Sequence, residues 1–438
     1  MQEPGDVVGA EREQRRVHRL LRKHAVLSVR DLLIPAQAPC VRVTHELTPE
    51  TFAVLACAQT VVHPRLRPRF IDALGSCTSA ERLCDTAVRH GMLGHVHRIV
   101  SSEPDPAVAG DLRVSLAELY RASAERALRQ TAQLLRVVEL LRERGVEAMP
   151  IKGPAWGQRL YGDVTLRNWV DLDLLARYEQ MPATREALLE AGYVDSSPFN
   201  ARILRRETRA EGELPFSRPD GDLLLDIHWQ LSSGSGAPGL SANALMSRAE
   251  PVELLGREVL TPSPADALLI QCVQGARDRW NRIEAVLAHG CMVRELAGDA
   301  WPSVMAAARD ARCSRRLTIG VAHACRLLGL ETPHVIDEAL ARDAVSSPLL
   351  RSLDPETLQW PVVEDDQPHL SKIMWAAASE DRVGSSVAHL ASRVLRPGPE
   401  DWTSRPLPPG FTWLHFLRRP FRLLVKWARL LARRARPR

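Results

Sequence analysis

The sequence predicts a small mixed-sheet α/β core (α+β or α/β by class) flanked by N-terminal and C-terminal helical regions. Residues 146–175, VEAMPIKGPAWGQRLYGDVTLRNWVDLDLL, read as strand, glycine turn, helix, loop and strand. Downstream, GDLLLDIHWQL has the continuous apolar character of a strand buried on both faces. On either side of these segments the apolar residues recur at three and four, the helical period.

A chain of 438 residues exceeds what a single core holds. The divisions we expect are a mainly helical region at 1–145, the α/β core at 146–231 and a helical bundle at 240–345. A Pro- and acid-rich segment with one helix (346–417) and a basic tail (418–438) follow. A composition of 45% hydrophobic and 25% charged residues excludes a disordered protein. The N-terminus lacks the apolar stretch of a signal peptide, and no run approaches the roughly 18 residues of a membrane span. Eight scattered cysteines without a CxxC pair read as thiols of a reducing compartment. The expectation is a cytoplasmic protein.

In chain order, REQRRVHRLLRKHAVL is a basic helical piece, and 48–101 alternates helices with breaks. His95 and His97 stand at i, i+2, which do not share a helix face, so they read as core or surface histidines. A long helix is expected over 111–144, from apolar positions 112, 116, 119, 120, 127, 128, 134, 135, 138 and 141, with Gly145 as its stop and room for a kink near 123. After the central stretch, MPATREALLEAGYV is a helix ended by Gly192 and followed by a short strand. Residues 196–220 are polar and Arg-rich, with PFSRPDG read as a turn. SSGSGAPG (232–239) is a linker, PVELLGREVLTPS a hairpin, and Ser263 with Pro264 opens a helix. A single helix is expected at SKIMWAAASEDRVGSSVAHLASRVL.

Charge is unevenly placed. Residues 418–438 hold nine Arg and Lys and no acid, so taking nine charges from a net +5 leaves the remainder at −4. Arg422, Lys426, Arg429, Arg433 and Arg436 form one stripe of a helix; Leu423, Leu424, Trp427, Leu430 and Leu431 lie opposite. Such a tail suits an anionic membrane surface or a partner's groove, and a helix packed back on the body with solvated arginines is the plainer alternative. The acidic remainder argues against a nucleic-acid partner.

Chemistry concentrates at the central stretch. In a strand, Asp171 and Asp173 project from one face, about 7 Å apart, while Val170, Leu172 and Leu174 project from the other. Two such carboxylates repel unless a cation lies between them, and hard oxygen donors suit Mg²⁺ or Mn²⁺. Asp226 inside LLLDIHW is a third acid, costly in an apolar strand unless it joins them. His228 shares its face, as support for the site or as an ordinary core histidine. Lys152-Gly153-Pro154 forms a strand-to-helix turn: glycine admits a close ligand, proline suits the first helical position, and the helix start offers N–H groups to an anion. Only four of the 58 basic residues are lysines, so a lysine at this turn suggests that a compact ammonium is wanted. For Arg167 two readings stand, phosphate contact and an ion pair with Asp163. Tyr161 and Trp169 read as packing. An anion site facing three carboxylates is what binding a metal–triphosphate requires.

IKGPAW, YGD, LR, DLDLL and GY, followed by LDIHWQL, resemble the bacterial uncharacterised nucleotidyltransferase family, a branch of the DNA polymerase β-like superfamily. The resemblance spans about 70–330. It implies Mg²⁺-dependent transfer of a nucleotidyl group from an NTP such as ATP to a hydroxyl acceptor. It also implies Asp171 and Asp173 as paired metal ligands and Asp226 as the third acid beside the acceptor. From the residues themselves, Lys152 and Gly153 are expected toward the nucleotide, with Arg167 beside them on its phosphate-contact reading. The wider superfamily usually places a serine after this glycine; Pro154 stands there instead. The competing expectation is therefore a nucleotide-binding regulatory or scaffold protein with little turnover, docked by its tail.

Overall fold

The computed structural model describes residues 47–434 apart from 103–104, 106–107, 197–211, 220–223, 232–237, 354–357, 359–369, 396, 398–400, 402–406, 408–410 and 412. The basic piece before residue 47 and most of the 232–239 linker lie outside the described residues.

Helices α1 (Pro49–Val62), α2 (Arg67–Gly75), α3 (Ala80–Arg89) and α4 (Leu93–Ser102) lead into α5 (Gly110–Glu143). α5 runs unbroken for 34 residues, so the helix is not interrupted near 123. Its Leu116, Leu134 and Leu141 are buried, whereas Leu119 and Leu128 are exposed, because a helix this long buries only one stripe. Gly145 adopts φ 70° just past its end.

The sheet follows: β1 (Ala148–Pro150), helix α6 (Pro154–Tyr161), β2 (Asp171–Ala176), helix α7 (Met181–Glu190), β3 (Val194–Asp195), β4 (Glu213–Ser217) and β5 (Leu224–His228). The strand order is β1-β2-β5-β4-β3. β2 and β5 are parallel, and the other neighbours antiparallel, which makes the sheet mixed. One sequence expectation is corrected here. PFSRPDG is not wholly a turn, because Pro215, Phe216 and Ser217 belong to β4. Leu214 and Phe216 alternate into the core, and their burial outweighs the missing N–H of Pro215.

Beyond the sheet come α8 (Ala242–Met246) and the expected hairpin, β6 (Glu250–Leu254) with β7 (Arg257–Thr261). The bundle is α9 (Pro264–Asp278), α10 (Ile283–Glu295), α11 (Trp301–Asp310), α12 (Ser314–Leu328) and α13 (His334–Arg342). Ser263 caps α9, its hydroxyl accepting from Asp266 N, with Pro264 in the first turn. Helices before and after the sheet share one apolar core: Phe52, Phe70 and Leu116 cluster with Trp280, Leu287 and Leu328.

After α14 (Ser346–Arg351), the expected single helix is two, α15 (Leu370–Ala378) and α16 (Val383–Leu395). The break has a tertiary cause. Asp381 accepts from the N–H groups of Ser314 and Arg315 at the start of α12, each at 2.8 Å, and Arg316 pairs with Glu380. The tail forms α17 (Leu414–Arg434).

Candidate active site

The site begins with the pairing of β2 and β5. Parallel register sets Asp171 against Leu224, Asp173 against Asp226 and Leu175 against His228. In-register residues of neighbouring strands share a face, so Asp171, Asp173, Asp226 and His228 rise from one side of the sheet. Leu172, Leu174, Leu225 and Ile227 point to the other and pack in the cluster holding Leu134, Leu141 and Leu188 of α5 and α7. On the carboxylate side the cover is partial. Leu175, with Met149 and Ile151, packs against Leu268 and Leu269 of the bundle, while Asp171 and Asp226, nearer the strand starts, are half-buried.

Asp173 is the centre of the polar contacts. Its Oδ1 lies 2.7 Å from His228 Nε2 and 3.2 Å from Lys152 Nζ. His228 Nδ1 lies 3.2 Å from Glu213 Oε2, on β4 directly across from it. One ligand atom each from Asp173, Asp226 and His228 fall within 4.8 Å of one another. Burial opposes ionisation of Asp173, yet the Lys152 ammonium and the His228 bond outweigh it and hold this carboxyl well below the usual range. Asp171 is moved the other way, raised by burial and then by the charge of Asp173. Asp226 is pushed up to about 7, chiefly by burial; His228 counteracts, and the charges of Asp171, Glu213 and Asp173 add to the rise. Carboxylates crowded until one resists ionisation are the electrostatic condition that a divalent cation relieves, and oxygen donors of this kind fit Mg²⁺ or Mn²⁺.

The turn beside them is built as its residues require. Gly153 adopts φ 60°, ψ −125°, a conformation that side chains resist. Pro154 occupies the first turn of α6, where no N–H is needed. A Cβ on Gly153 would lie 3.8 Å from the ring of Trp169, which is itself almost wholly buried.

The loop that delivers Asp171 is tied down along its length. The Asp163 carboxylate accepts from Thr165 N at 2.8 Å and Thr165 Oγ1 at 2.7 Å. Tyr120 and Ser123 of α5 bond Thr165 and Asn168, at 2.7 and 2.8 Å. Arg167 departs from one reading of it, since its partner is Glu284 of α10 at 3.0 Å and not Asp163. Its guanidinium also lies 5.1 Å from the centre of the Trp156 ring. Tyr161 packs edge-on against buried His95 and donates to Glu284 at 3.3 Å, while His97 stacks on Tyr120.

The structure thus brings Asp171, Asp173, Asp226, Lys152 and His228 together at one turn-and-sheet corner. Glu213 and Glu284 went unseen in the sequence. The alternation of Glu213, Leu214, Pro215 and Phe216 is the signal that would have found the first; nothing local points to the second.

A family model described as "Uncharacterised nucleotidyltransferase" matches residues 76–329. No curated protein matches the chain. Among solved structures, the solution structure of the antibiotic-resistance factor ANT(2'')-Ia is similar over 42% of this chain and 92% of that one, at 16% identity and a TM-score of 0.31.

Proposed function

This chain belongs to the uncharacterised nucleotidyltransferase family, and on that premise we propose that it transfers a nucleotidyl group from an NTP, ATP included, to a hydroxyl acceptor. The observation that carries the reading is the β2–β5 register, which opposes Asp173 to Asp226 with Asp171 on the same face, beside the Lys152-Gly153 turn.

Asp171, Asp173 and Asp226 would hold Mg²⁺ or Mn²⁺. When bound, the cation supplies charge neutralisation on the triphosphate and on the attacking and leaving oxygens. The chain's own residues do the rest. Lys152, now on Asp173, offers its ammonium to a phosphate oxygen. Gly153 lets the backbone approach, and the first-turn N–H groups of α6 face the same anion. Asp226, on the same face as Asp171 and Asp173, would take the proton of the acceptor hydroxyl. Arg167, committed to Glu284, braces the strand entry and with it the nucleotide side of the site. His228, gripped by Glu213, orients Asp173.

The acceptor belongs to the proposal too: a small molecule, a peptide or a protein side chain. A body with a net charge of −4 outside the tail lacks the basic surface a polynucleotide demands. Free thiols at Cys57, Cys84, Cys272, Cys313 and Cys325, all buried, support a cytoplasmic setting.

The test is a thermal-shift series of the four NTPs with Mg²⁺ or Mn²⁺, on the wild type and on Asp171→Asn/Asp173→Asn. A ligand at 100 times its Kd adds about 2.7 kcal/mol. A metal-dependent shift that disappears in the double variant supports the reading; a folded wild type that shifts with no NTP overturns it. Pro154, which offers no hydroxyl after Gly153, favours a second reading, a nucleotide-binding regulator with little turnover. A clear shift without pyrophosphate release, whatever the acceptor, would decide for that one.

A further inference from the structure

The helix α17 is mounted the wrong way round for a surface helix. A helix packed on a globular body turns its apolar stripe inward and its charges to solvent. Here the inward side centres on ion pairs, with Phe416 and Leu423 half-buried beside them. Arg419 Nη1 lies 2.6 Å and Arg422 Nε 2.7 Å from the carboxylate of buried Asp401, and His415 on the same helix is buried. Leu417, Phe421, Leu424 and Val425, spaced i, i+4, i+7 and i+8, share the opposite stripe and are 57, 71, 60 and 50% exposed. Phe411 and Trp413 stand exposed just ahead of the helix. The neighbouring α16 adds Val383 and Val387, also exposed.

An apolar stripe of this size calls for an occupant, and the charge selects which. Residues 418–438 carry nine positive charges and no acid, while the rest of the chain nets −4. A second copy would bring nine further positive charges close to these nine and be repelled. No helix among the described residues is long and apolar enough to cross a bilayer. An apolar stripe with aromatic residues, embedded in a strongly basic segment, matches the interface of an anionic phospholipid layer: side chains enter the headgroup–acyl boundary while the cations meet phosphate and carboxylate groups. We propose that α17 lies on an anionic membrane surface through Leu417, Phe421 and Leu424, and that Asp401, by binding Arg419 and Arg422, sets the angle at which the body rides on it.

The experiment is co-sedimentation of the full chain with phosphatidylcholine vesicles, with and without phosphatidylserine. We expect binding at least about ten-fold stronger on the anionic vesicles, weakening as salt is raised. Phe421→Glu/Leu424→Glu loses about ten-fold or more of that binding, since charges enter the inserted stripe. Val114→Glu, at an exposed apolar position on α5, leaves it unchanged. Both changes are at exposed positions, and a melting curve checks that each variant is folded. Equal binding to both vesicle types overturns the proposal. So does absence of binding, or retention by the double variant, and these would turn the search to a protein groove. No nucleotide enters the readout, so either result leaves the transfer reading standing on its own test.

Discussion

Strands β2 and β5 show two opposite faces made from the same ten residues or so of sequence. On one, Leu172, Leu174, Leu225 and Ile227 are wholly buried. On the other, Asp171, Asp173, Asp226 and His228 crowd charge into a partly covered corner. Each face accounts for the other. Burying four aliphatic side chains is worth about 1.5–3 kcal/mol apiece, which offsets the carboxylate repulsion that Lys152 and His228 relieve only in part. Because side chains alternate, a slip of one residue would turn the leucines to water and the acids to the core, so the apolar face also fixes the register of the acidic one. Stability is made on one side and spent on the other.

The comparison breaks most sharply at Asp171. Asp171→Asn keeps the side-chain shape and removes a charge that burial and Asp173 disfavour more than Lys152 and His228 favour it. Pyrophosphate release should fall by at least about 10³, equivalent to roughly 4 kcal/mol of transition-state stabilisation. The melting temperature should hold or rise. An active variant would remove Asp171 from the site. On the neighbouring strand and the opposite face, Leu225→Ala should do the reverse, costing about 2–5 kcal/mol in urea unfolding. Below its melting point it should keep the metal-dependent nucleotide shift. Loss of that shift in a folded Leu225→Ala protein would mean that the two faces are not separable.

What the sequence disclosed follows the same division. DLDLL and LDIHW state both faces at once, because period-two alternation is a local pattern, and Lys152-Gly153-Pro154 states its own backbone geometry. The family model, matching residues 76–329, agrees with the resemblance those motifs carry. Contacts set by the fold were hidden. β4 was obscured by Pro215 and its Arg-rich surroundings, and with it went Glu213, which bonds His228 from across the sheet. Arg167 had Asp163 close by in the chain, but the fold brings Glu284 from α10, and no local pattern announces a partner so remote. The break between α15 and α16 belongs to the same class: Asp381 leaves the helical path to cap α12, a demand written elsewhere in the chain.

Asp226 sharpens the comparison in pH. An unfolded aspartate ionises near 3.9, whereas folding pushes this one up to about 7. Between those values the folded state binds the extra proton, so its contribution to stability falls as pH rises from about 4 to 7 and stays low above. Asp226→Asn cannot ionise and escapes that loss. Discounting for partial exposure, the metal-free variant should exceed the wild type by about 1–2 kcal/mol at pH 8 and by far less at pH 4, in paired urea curves. Added Mg²⁺ should narrow the gap at pH 8 by stabilising only the wild type. Parallel pH curves for the two proteins would show that the carboxyl is not held neutral.

The smallest effect is expected from a leucine on the acidic face. Leu224 precedes Leu225 in β5, pairs with Asp171 in register, and is 46% exposed where its neighbour is wholly buried. Leu224→Ser should therefore move stability by no more than about 0.5 kcal/mol. Set beside about 2–5 kcal/mol for Leu225→Ala, that contrast between adjacent leucines measures the division directly. If Leu224→Ser were instead to cost 2 kcal/mol or more, about the value for a buried aliphatic, the corner would be closed on the acidic side as well. It would then have no room for a triphosphate, and the proposed transfer would need an opening motion before any substrate could enter.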